Sequence, residues 1–184
     1  MVDMSSRQDT AAAAAARAGV TITIATVDEL AEVLAVQRSG FGRVAARFGI
    51  DPADMAPLRE SLSDLIDLRA DGIVTFIARS GTGTAGTVRA RRREDGVVEI
   101  GRLAVADDHV RRGVATALML TIESSFPEAS RFELYTGAEA TEPLALYARL
   151  GYGIFRREEH AHWRAVWLAK ELPGGTAPDD ARLH

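Results

Sequence analysis

Hydrophobic and polar residues alternate through Val20-Thr21-Ile22-Thr23-Ile24, the period of a half-buried strand. The spacing then lengthens. Thr26-x-x-Glu29 is a capping box that opens a helix with Val27, Leu30, Val33 or Leu34, and Gln37 along one face, and Gly40-Phe41-Gly42 stops it. Residues 40–57 read as irregular chain or a short helix. Pro57 suits the first turn of a next helix, whose buried stripe is Leu58, Leu62, Leu65 and Ile66 and whose end is Asp71-Gly72. Strands come next at 73–79, 84–93 and 97–105. A helix over about 112–125 carries Val114, Ala117, Leu118, Thr121 and Ile122 on one side and is closed by Pro127. A strand at 132–136, a helix at 142–150 and strands at 152–159 and 162–170 complete the chain. The order β-α-α-β-β-β-α-β-α-β-β, with no repeat or linker, predicts one mixed α/β (α+β) domain over residues 20–172. Residues 1–19 read as a mobile leader, because an alanine tract this short is marginal as a helix without packing, and 173–184 as a second loose tail.

Gly81-x-Gly83-x-x-Gly86 spells a dinucleotide-binding fingerprint, but that device needs a helix after it. The residues after Gly86 are instead Thr87-Val88-Arg89-Ala90-Arg91, a second strand, so the glycines read as a hairpin turn. The same stretch lacks the Lys that a phosphate loop places before its Thr.

Composition changes the picture only by exclusion. The 184 residues carry a net charge of −4, which speaks against a dedicated nucleic-acid binder. The absence of cysteine removes disulfides, thiolate metal sites and any cysteine-bound acyl intermediate, and suits a cytoplasmic protein. No apolar run approaches the ~20 residues that cross a bilayer, so no membrane partner is expected. Gly-x-Ser-x-Gly and His-Glu-x-x-His are both missing.

A phosphate site is better placed at residues 107–118, D-D-H-V-R-R-G-V-A-T-A-L. Here a strand feeds a short loop and an amphipathic helix, whose first turn offers unpaired N–H groups and about half a positive charge. Gly113 lets backbone approach a ligand, Ala115 keeps the turn slim, Thr116 adds a hydroxyl, and Arg111 and Arg112 add charge. A plain strand-to-helix joint with solvated arginines has the same spelling.

The helix P-L-A-L-Y-A-R-L-G-Y, residues 143–152, ends in Leu-Gly-Tyr with Tyr147 four residues before Gly151. Together with V-E-I-G-R-L-A-V, R-R-G-V-A-T-A-L and F-E-L-Y-T, in this order, it resembles the GNAT family of N-acetyltransferases over about residues 97–160. The resemblance implies a largely antiparallel sheet with one splayed parallel pair, 97–105 and 131–136, and acetyl-CoA (acetyl-coenzyme A) held in the gap. It implies that the backbone of Leu103, Ala104 and Val105 pairs with the pantetheine, and that main-chain N–H groups of Arg111, Arg112, Gly113, Val114, Ala115 and Thr116 hold the pyrophosphate. Val110 stands where the family keeps Gln or Arg, Arg111 where it often keeps Gly, and Ala140, Thr141 and Pro143 where many members carry Asn. Tyr147 matches the family tyrosine proposed as general acid, and its other reading is a core residue. Glu99 is either the general base, with a carboxyl raised by partial burial, or the partner of Arg102, Arg89 or Arg91, or an edge residue facing solvent; alternation puts it on a face with Gly101, Leu103 and Val105.

The implied activity is direct acetyl transfer to a small-molecule or peptide amine, with a non-catalytic acyl-CoA sensor as the alternative. The resemblance allows a homodimer and leaves the acceptor open. His160, His162 and Trp163 read as a structural turn or acceptor lining rather than a metal pair, since no third ligand is evident. Phe41, Arg43 and Phe48 are further acceptor candidates, and Arg89, Arg91 and Arg93 read as a solvated strand face.

Overall fold

In the computed structural model, residues 4–81, 83–159 and 163–172 are described. The chain runs α1 (Met4–Ala18), β1 (Thr21–Ile24), α2 (Leu30–Phe48), α3 (Ala56–Arg59), α4 (Leu62–Ala70), β2 (Val74–Ser80) and β3 (Gly83–Arg92). It continues β4 (Val97–Val105), α5 (Val114–Ser125), β5 (Arg131–Gly137), α6 (Thr141–Arg149), β6 (Gly153–Glu159) and β7 (Arg164–Glu171). The strands form one sheet in the order β1-β2-β3-β4-β5-β7-β6. Every pairing is antiparallel except β4 with β5, which is parallel.

Helices cover both faces. On one side Phe76, Val88, Ala90, Val98, Phe132 and Leu134 pack with Leu118, Met119 and Ile122 of α5 and Tyr147 of α6. On the other, Ile77 packs with Leu30, Val33 and Leu34 of α2 and Leu65 of α4. Side chains along β3 alternate between these layers: Val88 and Ala90 turn to α5, while Arg89 reaches Gln37 of α2.

The leader expected to be mobile is instead, over residues 4–18, a helix packed on α5. Ala11 and Ala14 are buried there, and Ala15 and Ala18 lie against the core. Small side chains let two helices approach closely, and that packing supplies what the tract's intrinsic propensity lacks.

α2 does not stop at Gly40 but continues to Phe48 and ends with Gly49 at φ 63°. A Cβ at Gly40 would stand 3.1 Å from the Ala104 Cβ, so this glycine serves a close helix–strand contact rather than a stop. The helix predicted after Pro57 is broken in two. Glu60 is extended (φ −61°, ψ 137°), and Ser61 caps α4 by accepting from the Asp64 N–H at 3.2 Å. The break buries Leu65 but leaves Leu62 and Ile66 exposed.

Gly81 and Gly83 do form a hairpin turn, with Ser80 opposite Gly83 and Gly83 at φ 129°. Gly86 serves packing: a Cβ there would lie 3.0 Å from the Ala104 carbonyl oxygen and 3.0 Å from Val114 Cγ1. His160 and His162, and the tail from residue 173, lie outside the described residues.

Gly86→Ala should therefore cost about 1–3 kcal/mol by overpacking. Gly81→Ala, with no atom within 4 Å of the new Cβ, should stay within about 0.5 kcal/mol of wild type. Denaturant unfolding curves compare the two.

Candidate active site

β4 and β5 pair only through Val97↔Arg131, Val98↔Phe132 and Glu99↔Glu133, and then diverge. Beyond that point β4 carries a bulge. Thr87 faces Ala104 and Arg89 faces Gly101, so Val88 alone opposes both Arg102 and Leu103. Arg102 adopts φ 56°, a left-handed value unusual for a residue with a side chain. The bulge changes which residues share a face. Leu103 and Val105 pack toward the α5 side, while Ala104 meets Gly40 of α2; Glu99 therefore does not share a face with Leu103 and Val105 as simple alternation predicted.

Backbone direction is fixed by one hydrogen bond. The Ala106 N–H donates to Ala85 O at 2.9 Å, so the peptide groups of residues 104 and 106 face β3. Those of Leu103 and Val105 face the opening, and Ala104, expected among the gap-facing groups, does not. Arg43 crosses from α2 and donates to Val105 O at 2.7 Å; the same guanidinium pairs with Asp107.

The opening leads to the loop before α5. Val110 is extended (φ −61°, ψ 145°) and 41% exposed, Arg111 turns left-handed at φ 60°, and Gly113 at φ 88° precedes the helix. Arg111 thus holds a conformation that favours glycine. The Ala117 N–H bonds Gly113 O at 3.0 Å; among the described residues, the N–H groups of Val114, Ala115 and Thr116 have no hydrogen-bond acceptor. The Arg112 N–H is committed to His109 O at 3.4 Å. Buried His109 anchors the loop, its Nε2 at 2.9 Å from Ser80 Oγ and its Nδ1 at 2.7 Å from Asp108, whose carboxyl this contact holds below its usual value.

Tyr147 lies in the α5-side layer, 7% exposed, its ring edge-on to Tyr152 at 6.1 Å. Burial pushes its phenol up to about 12. Tyr152 in turn donates to Glu123 at 3.0 Å, and Lys170 approaches the other Glu123 oxygen at 2.5 Å. Glu99 sits at the last paired position before the divergence. Its side chain is 42% exposed and lies 3.5 Å from Arg93, an ion pair with a different arginine from those the sequence suggested.

The chain matches the model of the acetyltransferase (GNAT) family over residues 35–152. It belongs to that family. Comparison with curated proteins finds no match. Among solved structures, the PaiA N-acetyltransferase of Thermoplasma acidophilum in complex with coenzyme A is similar at 15% identity and a TM-score of 0.71, over 83% of this chain and 99% of that one. A phosphinothricin acetyltransferase of Sinorhizobium meliloti in complex with AcCoA is similar at 15% identity and 0.68, over 87% and 92%. A ribosomal-protein-alanine N-acetyltransferase of Brucella melitensis is similar at 16% and 0.64, over 83% and 99%.

This GNAT chain also has a polar cluster that sequence reasoning missed. Arg89, read as solvated, is 6% exposed and donates to Gln37 at 2.5 Å and to Glu60 at 2.8 Å. Glu60 also accepts from Arg102 at 2.9 Å and from Gln37 at 2.8 Å. Burial raises the Glu60 carboxyl, but the bonds from Arg102, Gln37 and Arg89 outweigh it and hold the carboxyl below its usual value. Arg89 is also lowered, chiefly by burial. The two directions differ in meaning: three donors favour the charged carboxylate, whereas burial, helped by the neighbouring Arg102, outweighs what Glu60 returns to Arg89. The one available signal was Gln37, a polar residue on the buried face of a helix.

On the same side of the sheet as α2, Tyr135 lies 5.0 Å from Trp167 and 6.3 Å from Trp163, ring centre to ring centre. Arg156 stacks on Trp167 at 4.3 Å. These rings begin two residues past the last parallel pair.

Gly113→Ala should cost about 1–2 kcal/mol because its φ of 88° strains any Cβ. Scanning calorimetry reads the loss. Because the folded Glu60 carboxyl lies below its unfolded value, its stabilisation is complete above about pH 4.5 and is lost as pH falls through the folded value. Glu60→Gln should flatten the acid limb of the stability–pH profile.

Proposed function

We propose that this protein is an acetyl-coenzyme A-dependent N-acetyltransferase that moves an acetyl group to a primary amine by direct attack in a ternary complex. The observation that carries this reading is the opening itself: past the last β4–β5 pair the backbone groups of Leu103 and the N–H of Val105 face the gap, with the Val105 carbonyl taken by Arg43, and among the described residues they lead to N–H groups of Val114, Ala115 and Thr116 that have no acceptor. A strand-like amide chain ending in a diphosphate fits that sequence of donors and acceptors. Bound acetyl-coenzyme A supplies an acetyl group activated as a thioester.

The chain's residues then divide the work. Gly113 and the first turn of α5 receive the pyrophosphate, with Arg111 and Arg112 adding charge from the rim. The Leu103 N–H, aimed into the opening, stabilises negative charge on the carbonyl oxygen during attack. Glu99, directly or through a water, takes the proton that the amine must lose. The Tyr147 phenol delivers a proton toward the departing sulfur. Its value of about 12 keeps it protonated at every working pH. Complete transfer to a thiolate of ordinary pKa (~8.5) is uphill, so its first contribution is a hydrogen bond that strengthens as charge gathers on sulfur. The acceptor amine enters from the α2 side, where Glu99, Tyr135 and Trp163 stand.

Tyr147→Phe should lower turnover about 100-fold while leaving coenzyme A affinity within twofold, measured by free-thiol release across a panel of amines and by calorimetry. A wild-type protein that binds coenzyme A but releases no thiol with any amine would instead be a sensor.

A further inference from the structure

We propose that Glu60 is a positioning residue for acetyl transfer: it clamps the β4 bulge through Arg102 and so aims the Leu103 N–H into the opening. The proposal rests on the acetyltransferase reading and assigns a role to a residue that touches neither the cofactor site nor the phenol.

Side chains from three elements, β4, β3 and α2, meet at this one carboxylate. Oε1 accepts from Arg102 Nε at 2.9 Å and lies 2.8 Å from Arg102 Nη2, a two-pronged grip on the bulge residue. Oε2 accepts from Arg89 of β3 and from Gln37 of α2, each at 2.8 Å. Gln37 is fully buried and is itself fixed, donating to Pro57 O of α3 at 2.7 Å and accepting from Arg89 at 2.5 Å. The Glu60 backbone is held as well, since Arg38 donates to its carbonyl at 2.9 Å. The Glu60 side chain is 14% exposed and that of Arg102 is 23% exposed, so water competes weakly for these bonds.

The grip falls at one of the two non-glycine residues that the described chain holds at positive φ. Arg102 at φ 56° occupies a conformation that costs energy in any residue with a Cβ, and such strain persists only where surrounding contacts hold it. That residue sits immediately before Leu103, so the rotation of the Arg102–Leu103 peptide sets the direction of the Leu103 N–H. Releasing Arg102 would let the bulge relax and the donor swing away. With the donor swung away, the Val105 edge and the N–H groups at the far end of the opening still hold most of the cofactor, so the loss falls mainly on transition-state stabilisation.

Two guanidiniums against one carboxylate also leave an excess positive charge beside the bulge, which alone would favour an oxyanion. Two substitutions separate charge from aim. Glu60→Gln makes the site more positive and loses the grip; Arg102→Lys keeps the charge and loses the two-pronged geometry. Aim predicts that both lower kcat about 100-fold, as loss of an oxyanion donor does, with KM for acetyl-coenzyme A within twofold. Charge alone predicts that Glu60→Gln is as fast as wild type or faster and that Arg102→Lys is unchanged, which would overturn the proposal. A rise in KM at constant kcat would overturn it too.

Amide hydrogen exchange gives a readout independent of turnover. Both folded variants should exchange about tenfold faster across residues 100–106 than wild type, with the α5 helix unchanged. Faster exchange spread over the whole chain would show a merely structural role and sink the clamp. If Glu60→Gln does not fold, the more exposed member of the pair, Arg102→Lys, carries the test. If wild type transfers acetyl to no amine, the acetyltransferase reading fails while the exchange result still decides whether Glu60 holds the bulge.

Discussion

The divergence of β4 from β5 after Glu99 and Glu133 is the constraint on which the rest of this structure depends. Peptide groups inside a sheet must find partners, and a strand that leaves its neighbour exposes a row of them. The fold limits that cost by making the opening short. Below it the two strands are paired; above it Arg43 reaches over from α2 to take the Val105 carbonyl. The bulge at Arg102 supplies the bend that parts the strands, and Gly40 lets α2 lie close enough to seal the β3 side of the wound. Each of these features makes sense only in the presence of the others.

The buried cluster around Glu60 arises from the same geometry and is an odd choice for stability alone. Desolvating two arginines and a carboxylate is expensive, and an apolar cluster of equal volume holds a fold as well or better. What an ion cluster offers is direction: a planar guanidinium gripped at two points fixes the backbone from which it springs. The opposite layer shows the contrast, because Phe132, Leu118, Met119 and Ile122 pack there with no such demand.

Much of this was legible in the residues. Alternation found the strands, and the missing helix after Gly86 correctly turned a nucleotide fingerprint into a hairpin. The loop before Gly113 and the helix ending in Leu-Gly-Tyr were both found as elements. The failures share a physical origin. Gly40 looked like a stop because local propensity cannot see that a strand passes 3.1 Å from where its Cβ would be. The alanine tract looked mobile because its partner, α5, lies about a hundred residues away along the chain. Arg89 looked solvated because its partner on α3–α4 is made available only by a break at Glu60, where helical periodicity predicted continuity. Glu99 was read as partly buried from its apolar neighbours and is half-buried, but its ion-pair partner is Arg93 at the end of the β3–β4 turn rather than an arginine within the strands.

The two ends of the opening differ in how much sequence they need. On the proposed reading, recognition at the phosphate end falls to main-chain N–H groups, which every residue but proline provides. Val110 in the first slot and Arg111 in a glycine's place therefore leave the donors of Val114, Ala115 and Thr116 where they were. A site of main-chain donors depends little on side-chain identity. At the bulge, direction depends on named side chains, the Arg102 fork and the Glu60 carboxylate. Substitutions near the phosphates should thus be read chiefly through backbone conformation, and those near the bulge through the side chains that hold it.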